Sequence, residues 1–134
     1  MKKTSFLLLS ILASLLACAK ADIGQNDYPR LLVSEGWYTG FLDPNGDKQS
    51  KNYSYFLFKK GHPIKDLDGT FTFTHYENFE ESYGGVGVWR LDGDKLTLDF
   101  EHDPKQTMTI RFISVGDGER IVQQDGKTYW HPER

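Results

Sequence analysis

The sequence predicts an all-β domain, an antiparallel up-and-down barrel of about eight strands, and three observations carry that prediction. Short segments alternate apolar and polar residues with the period of two that gives a strand one core face and one wet face. Glycine, asparagine, aspartate and proline fall between those segments, where a hairpin needs positive φ or a fixed bend. After residue 30 no stretch repeats with a helical period, and only Tyr76 to Tyr83 reads as a turn or a short helix.

Taken in order, the expected strands are Leu31–Leu42, Tyr53–Lys60, Thr70–Tyr76, Val86–Leu91, Lys95–Glu101, Thr107–Val115, Arg120–Gln124 and Lys127–Trp130. The alternation is cleanest where Leu96, Leu98 and Phe100 oppose Lys95, Thr97 and Asp99, and where Met108, Ile110 and Phe112 oppose Thr107, Thr109 and Arg111. Phe71 and Phe73 alternate with Thr70, Thr72 and Thr74, whose β-branching suits a solvated pleat. Asn45-Gly46, Asp92-Gly93, His102-Asp103-Pro104 and Asp125-Gly126 supply the turns. Short turns imply neighbour-to-neighbour order, and closure into a barrel removes the exposed edges that an open β-sandwich, the alternative arrangement, leaves to be protected.

Composition narrows the function classes. The 3 Trp, 7 Tyr and 9 Phe are enough large side chains to build one core in a chain of 134 residues. The formal charge of −3 becomes about −5 once Lys2 and Lys3 are removed with a leader, and no run of basic residues interleaves with aromatics. Nucleic acid is therefore excluded as an expected partner. With 1 cysteine the chain forms no internal disulfide, so that cysteine calls for another role.

The N-terminus supplies one. Lys2 and Lys3 precede an apolar run, Phe6 to Leu16, that is too short for the roughly 20 residues a membrane span needs. The run ends in Leu15-Leu16-Ala17-Cys18, which resembles the lipobox of bacterial lipoproteins. That resemblance implies diacylglyceryl transfer to the Cys18 thiol and cleavage just before it, the small Ala17 letting a peptidase reach the backbone. Residues 1–17 are then a lipoprotein signal peptide, residues 18–30 the lipidated cysteine and a polar tether, and residues 31–134 the barrel domain. Each buried methylene contributes roughly 0.8 kcal/mol, so two or three acyl chains such as palmitate hold a protein stably at a membrane. Ala19-Lys20 follow the cysteine where inner-membrane lipoproteins carry aspartate. In a host with two membranes the resemblance implies the outer one, with the domain facing the periplasm.

Over most of residues 31–131 the chain resembles the small lipocalin-like, or calycin-like, lipoproteins of bacteria. The residues that carry this are Gly36-Trp37-Tyr38, Gly87-Val88-Trp89-Arg90-Leu91, the Asp92-Gly93-Asp94-Lys95-Leu96-Thr97-Leu98 hairpin and the terminal Asp125-Gly126-Lys127-Thr128-Tyr129.

The residues that carry chemistry offer few sites. Asp43, Asn45 and Asp47 alternate like the first ligands of an EF-hand, but Lys48 replaces the turn glycine and Ser54 the bidentate glutamate, so an ordinary hairpin loop is expected and no metal. His62, His75, His102 and His131 lack ligand spacing and read as surface residues. No Gly-x-Ser-x-Gly, no His-Glu-x-x-His and no phosphate-cradling loop is present, and Glu77, Glu80 and Glu81 read as a solvated loop, so a noncatalytic protein without cofactors is expected. Gly84-Gly85-Val86-Gly87 reads as a bulge or a barrel corner. The anomaly is Tyr53-Ser54-Tyr55-Phe56-Leu57-Phe58, which is apolar on both faces. One face must be covered by a loop, by the tether or by another molecule, which makes Trp37, Tyr55, Phe56 and Phe58 the candidate binding residues.

The expected function is a membrane-anchored binding or envelope-accessory module. The alternative is a periplasmic inhibitor or immunity protein that neutralises an envelope-directed hydrolase. The partners implied are the membrane, through the lipid, and either a protein or a hydrophobic small molecule.

Overall fold

Eight antiparallel strands follow one another around a closed barrel in a computed structural model of the chain, which describes residues 23–61, 67–116 and 118–133. They are β1 (Gly36–Phe41), β2 (Tyr53–Lys60), β3 (Asp68–Glu77), β4 (Glu80–Asp92), β5 (Lys95–Phe100), β6 (Gln106–Val115), β7 (Glu119–Gln124) and β8 (Thr128–Pro132). Every strand pairs with its sequence neighbours, and β1 closes on β8 through Trp37 opposite Pro132 and Tyr38 opposite His131. That closure rules out the open sandwich. The expected turns form where positive φ is available: Gly46, Gly93, Asp125 and Gly126 all adopt it.

Inner-facing residues follow the alternation read from sequence. Phe58, Phe71, Trp89, Leu96, Leu98, Ile110, Phe112 and Trp130 are all buried in one core. Their size explains the glycines of β4. Gly85 and Gly87 lie opposite Phe73 and Phe71 on β3. A Cβ on Gly87 would stand 2.5 Å from both the Phe71 ring and the Asp99 carbonyl oxygen. These glycines make room for rings within a continuous strand, whereas the register irregularity falls just beyond them in the same ladder, between His75 and Tyr76.

Two boundaries differ from the sequence reading. The first strand starts at Gly36, because Tyr28–Leu32 forms a helix, α1, entered through a 3-10 turn at Gln25–Asp27. Pro29 sits in its first turn, where the missing N–H costs nothing, and Tyr28, Leu31 and Leu32 fall at the i, i+3, i+4 spacing of one helical face. All three are buried. The Tyr28 ring lies 4.9 Å from that of Phe112, the Ile23 N–H donates to the Phe112 carbonyl at 3.2 Å, and Trp37 Nε1 donates to the Leu32 carbonyl at 3.0 Å. The segment from Ile23 to Ser34 is thus a plug across one end of the barrel. The second difference is at Tyr76 to Tyr83, where β3 and β4 run on to a two-residue hairpin made by Asn78 and Phe79, both at positive φ. Among the described residues no helix is long and apolar enough to cross a membrane.

Candidate functional site

The inner-facing rows of β2, β3 and β6 change character toward the end opposite the plug. On β2 the row runs Phe58, Phe56, Ser54; on β3 it runs Phe71, Phe73, His75; on β6 it runs Ile110, Met108, Gln106. Large apolar side chains fill the plugged end, and smaller or polar ones leave a cavity of about 330 Å³ at the mouth. Phe56, Phe73, Phe100, Met108 and Trp130 form its floor and walls. Asn52, Ser54, His75, Gln106 and Gln124 place polar groups around it.

Hydrogen bonds fix that polar ring. Ser54 Oγ and His75 Nδ1 lie 3.0 Å apart, and the Ser54 N–H donates to Thr39 Oγ1 at 2.9 Å. Trp130 Nε1 donates to Gln124 Oε1 at 2.8 Å, which orients an amide at the rim. His75 Nε2 stands 3.8 Å from the exposed Glu77 carboxylate, and the Tyr83 ring packs 5.1 Å from the imidazole and edge-on to Phe73. The β3–β4 hairpin is pinned beside the mouth, since Phe79 N–H donates to the Lys51 carbonyl and Asn78 N–H to Asn52 Oδ1.

The four residues singled out from sequence part company here. Phe56 lies in the cavity wall. Phe58 is deeper in the core, stacked nearly parallel to Trp130 at 6.2 Å. Trp37 is fully buried at the plugged end. Tyr55 faces outward, its ring 4.7 Å from Tyr38 and its hydroxyl donating to the Glu133 carboxylate. Burial, that hydrogen bond and the Glu133 charge together push the Tyr55 phenol up to about 12. The two apolar faces of β2 thus have different covers: barrel core for Phe56 and Phe58, and the Tyr38 ring with the C-terminal segment for Tyr55. Leu57 remains partly exposed.

Other candidates resolve locally. Asp43 Oδ1 accepts the N–H groups of Asp47 at 3.0 Å and Lys48 at 3.2 Å, so this carboxylate organises its own turn. His131 is buried at 7 % exposure, 4.5 Å from the Phe41 ring, rather than on the surface, while His102 is exposed beside Glu101. Cys18, residues 1–17 and His62 lie outside the described residues. Missed from sequence were Ser54, His75, Tyr83, Phe100 and Asp103 as parts of one cavity. The available signal was the polar residue that ends the inner rows of β2, β3 and β6.

The fold and site together define a closed eight-stranded barrel, plugged at one end and hollow at the other. No protein-family model, curated protein or solved structure matches the chain.

Proposed function

We propose that the chain is a noncatalytic, lipid-anchored, lipocalin-like binding protein, tethered through Cys18 to the outer membrane on its periplasmic side and carrying a small amphipathic ligand in the barrel mouth. The observation that carries this reading is the asymmetry of the barrel interior. A barrel whose task was only structural gains stability from filling its core throughout, as the plugged end is filled. At the mouth a volume of about 330 Å³ stays open between aromatic walls and a hydrogen-bonding rim, the usual make-up of a small-molecule site. The lipobox at Leu15-Leu16-Ala17-Cys18 supports the anchor.

The test is native mass spectrometry of the mature chain carrying Cys18→Ser, exported without lipid and purified gently from the native host. A reproducible small adduct, lost when Met108→Trp fills the cavity, is the expected result; a chain that is bare under every gentle condition would sink it. One observation favours the inhibitor or immunity reading. Phe79 sits at the hairpin tip with φ 63° and 54 % exposure, flanked by Glu77, Glu80 and Glu81, a strained apolar point in an acidic setting. Retention of a basic hydrolase by the wild-type chain and not by Phe79→Gly would decide for it.

A further inference from the structure

We infer that the mouth cavity selects an organic cation, a protonated amine or quaternary ammonium on a compact apolar body. This rests on the reading of the barrel as a ligand carrier and names the ligand class. The argument starts from the charges. Asp103 is the acidic side chain lining the cavity, and no lysine or arginine does so among the described residues. The nearest lysine on the same loop, Lys105, turns to the outer wall, where its Nζ lies 4.0 Å from Asp99. The neighbouring carboxylate of Glu77, on the solvent side of His75, adds to the same sign of potential. A carboxylate ligand would meet this field unfavourably, and a cation favourably.

The walls supply the second half. Phe73 and Phe100 meet edge to face, with ring centroids 5.0 Å apart and planes at 89°, so that their faces point in different directions around the cavity. Tyr83 stands edge-on to Phe73 at 88°, and Phe56 and Trp130 complete the enclosure. The cavity is thus lined by several aromatic rings in different orientations, and an aromatic lining attracts a cation without demanding directional hydrogen bonds. Beside His75 the polar rim is built of the uncharged Ser54, Asn52, Gln106 and Gln124, and suits a hydroxyl or amide on the same ligand. The volume equals that of about eleven water molecules in the liquid, which suits a benzyl-sized cation and is too small for a phospholipid.

The experiment compares three probes of one shape on the mature Cys18→Ser chain by isothermal calorimetry and protein NMR: 2-phenylethylammonium, 2-phenylethanol and phenylacetate. The ammonium is expected to bind at least tenfold tighter than the alcohol, and the carboxylate more weakly than either. Asp103→Asn should bring ammonium and alcohol to within about twofold, Asp103→Glu should keep the preference, and Lys105→Met should leave it unchanged, all with wild-type urea midpoints. An alcohol that binds as tightly as the ammonium would overturn the cation assignment and leave the binding function standing. Absence of saturable binding by all three probes would overturn both. A preference that survives Asp103→Asn unchanged would overturn the role of that carboxylate.

Discussion

Replacing Leu32 by alanine tests whether the N-terminal segment is a tether or part of the core. Leu32 is wholly buried in α1 and packs within the cluster that includes Trp37 and Phe112. Removing three carbons costs about 2.4 kcal/mol at about 0.8 kcal/mol each, and the unfilled space raises this to about 3–4 kcal/mol. Alanine and leucine differ little in helix propensity, and the Leu32 carbonyl that accepts from Trp37 Nε1 is retained, so the loss isolates packing. Such a loss is a large fraction of the roughly 5–15 kcal/mol that holds a domain of this size. With a denaturant slope of about 1.5 kcal/mol per molar, the urea midpoint should fall by about 2–3 M. Trp37, Trp89 and Trp130 are all buried, so intrinsic fluorescence reports the transition from several depths of the barrel. Leu42→Ala is the control: its side chain is 57 % exposed, and its midpoint should move by no more than about 0.5 kcal/mol allows. If Leu32→Ala shifted the midpoint no further than Leu42→Ala, the plug would be a detachable tether and the barrel complete from Gly36.

Three further outcomes are expected. Phe79→Gly relieves a bulky residue from φ 63° in a turn that favours glycine, and should stabilise by up to about 1 kcal/mol, raising Tm by a few degrees; a lower Tm would show that the contact of its ring with that of Tyr53, 6.2 Å away, outweighs the strain. The Tyr55 phenol titrates at about 12 in the fold against about 10 unfolded, so its contribution is complete below pH 10 and is lost as the pH rises from 10 through 12. Thermal midpoints measured from pH 9 to 12.5 should therefore fall more steeply for wild type than for Tyr55→Phe, and parallel curves would contradict the assignment. Cys18→Ala should move the protein from the membrane to the soluble fraction and abolish acyl labelling in cells, whereas a processed, unlabelled wild-type chain would replace the lipobox reading with an ordinary secretory signal.

The barrel was legible because its strands carry their own period. Leu96, Leu98 and Phe100 are buried while Asp99 is exposed, as their alternation requires, and Gly93 and Gly126 take the positive φ that their turns need. The helix was not legible, for a reason of length. Five residues make little more than one turn, so Tyr28, Leu31 and Leu32 give a single instance of the helical spacing, and Leu31-Leu32-Val33 reads equally as the start of a strand. Sequence could show that β2 has two apolar faces but not their covers, because the Glu133 carboxylate that holds Tyr55 and the Trp130 ring beside Phe58 come from the far end of the chain.

The cavity escaped motif reading because no two of its strands contribute a contiguous signature; it is written across strands, one residue at a time. Ser54 and His75 occupy the mouth-end inner positions of β2 and β3 and face each other directly in the register, 3.0 Å apart. That pairing explains how the space persists. A phenylalanine at either position alone would remove this hydrogen bond, a net loss of about 0.5–1.5 kcal/mol, and set a ring beside the partner's polar atom. Two apolar replacements together would extend the rows Phe58–Phe56 and Phe71–Phe73 by one more layer and close the barrel. The open mouth is thus a property of the pair: each side chain satisfies the other, and together they end the aromatic packing one layer short of the rim.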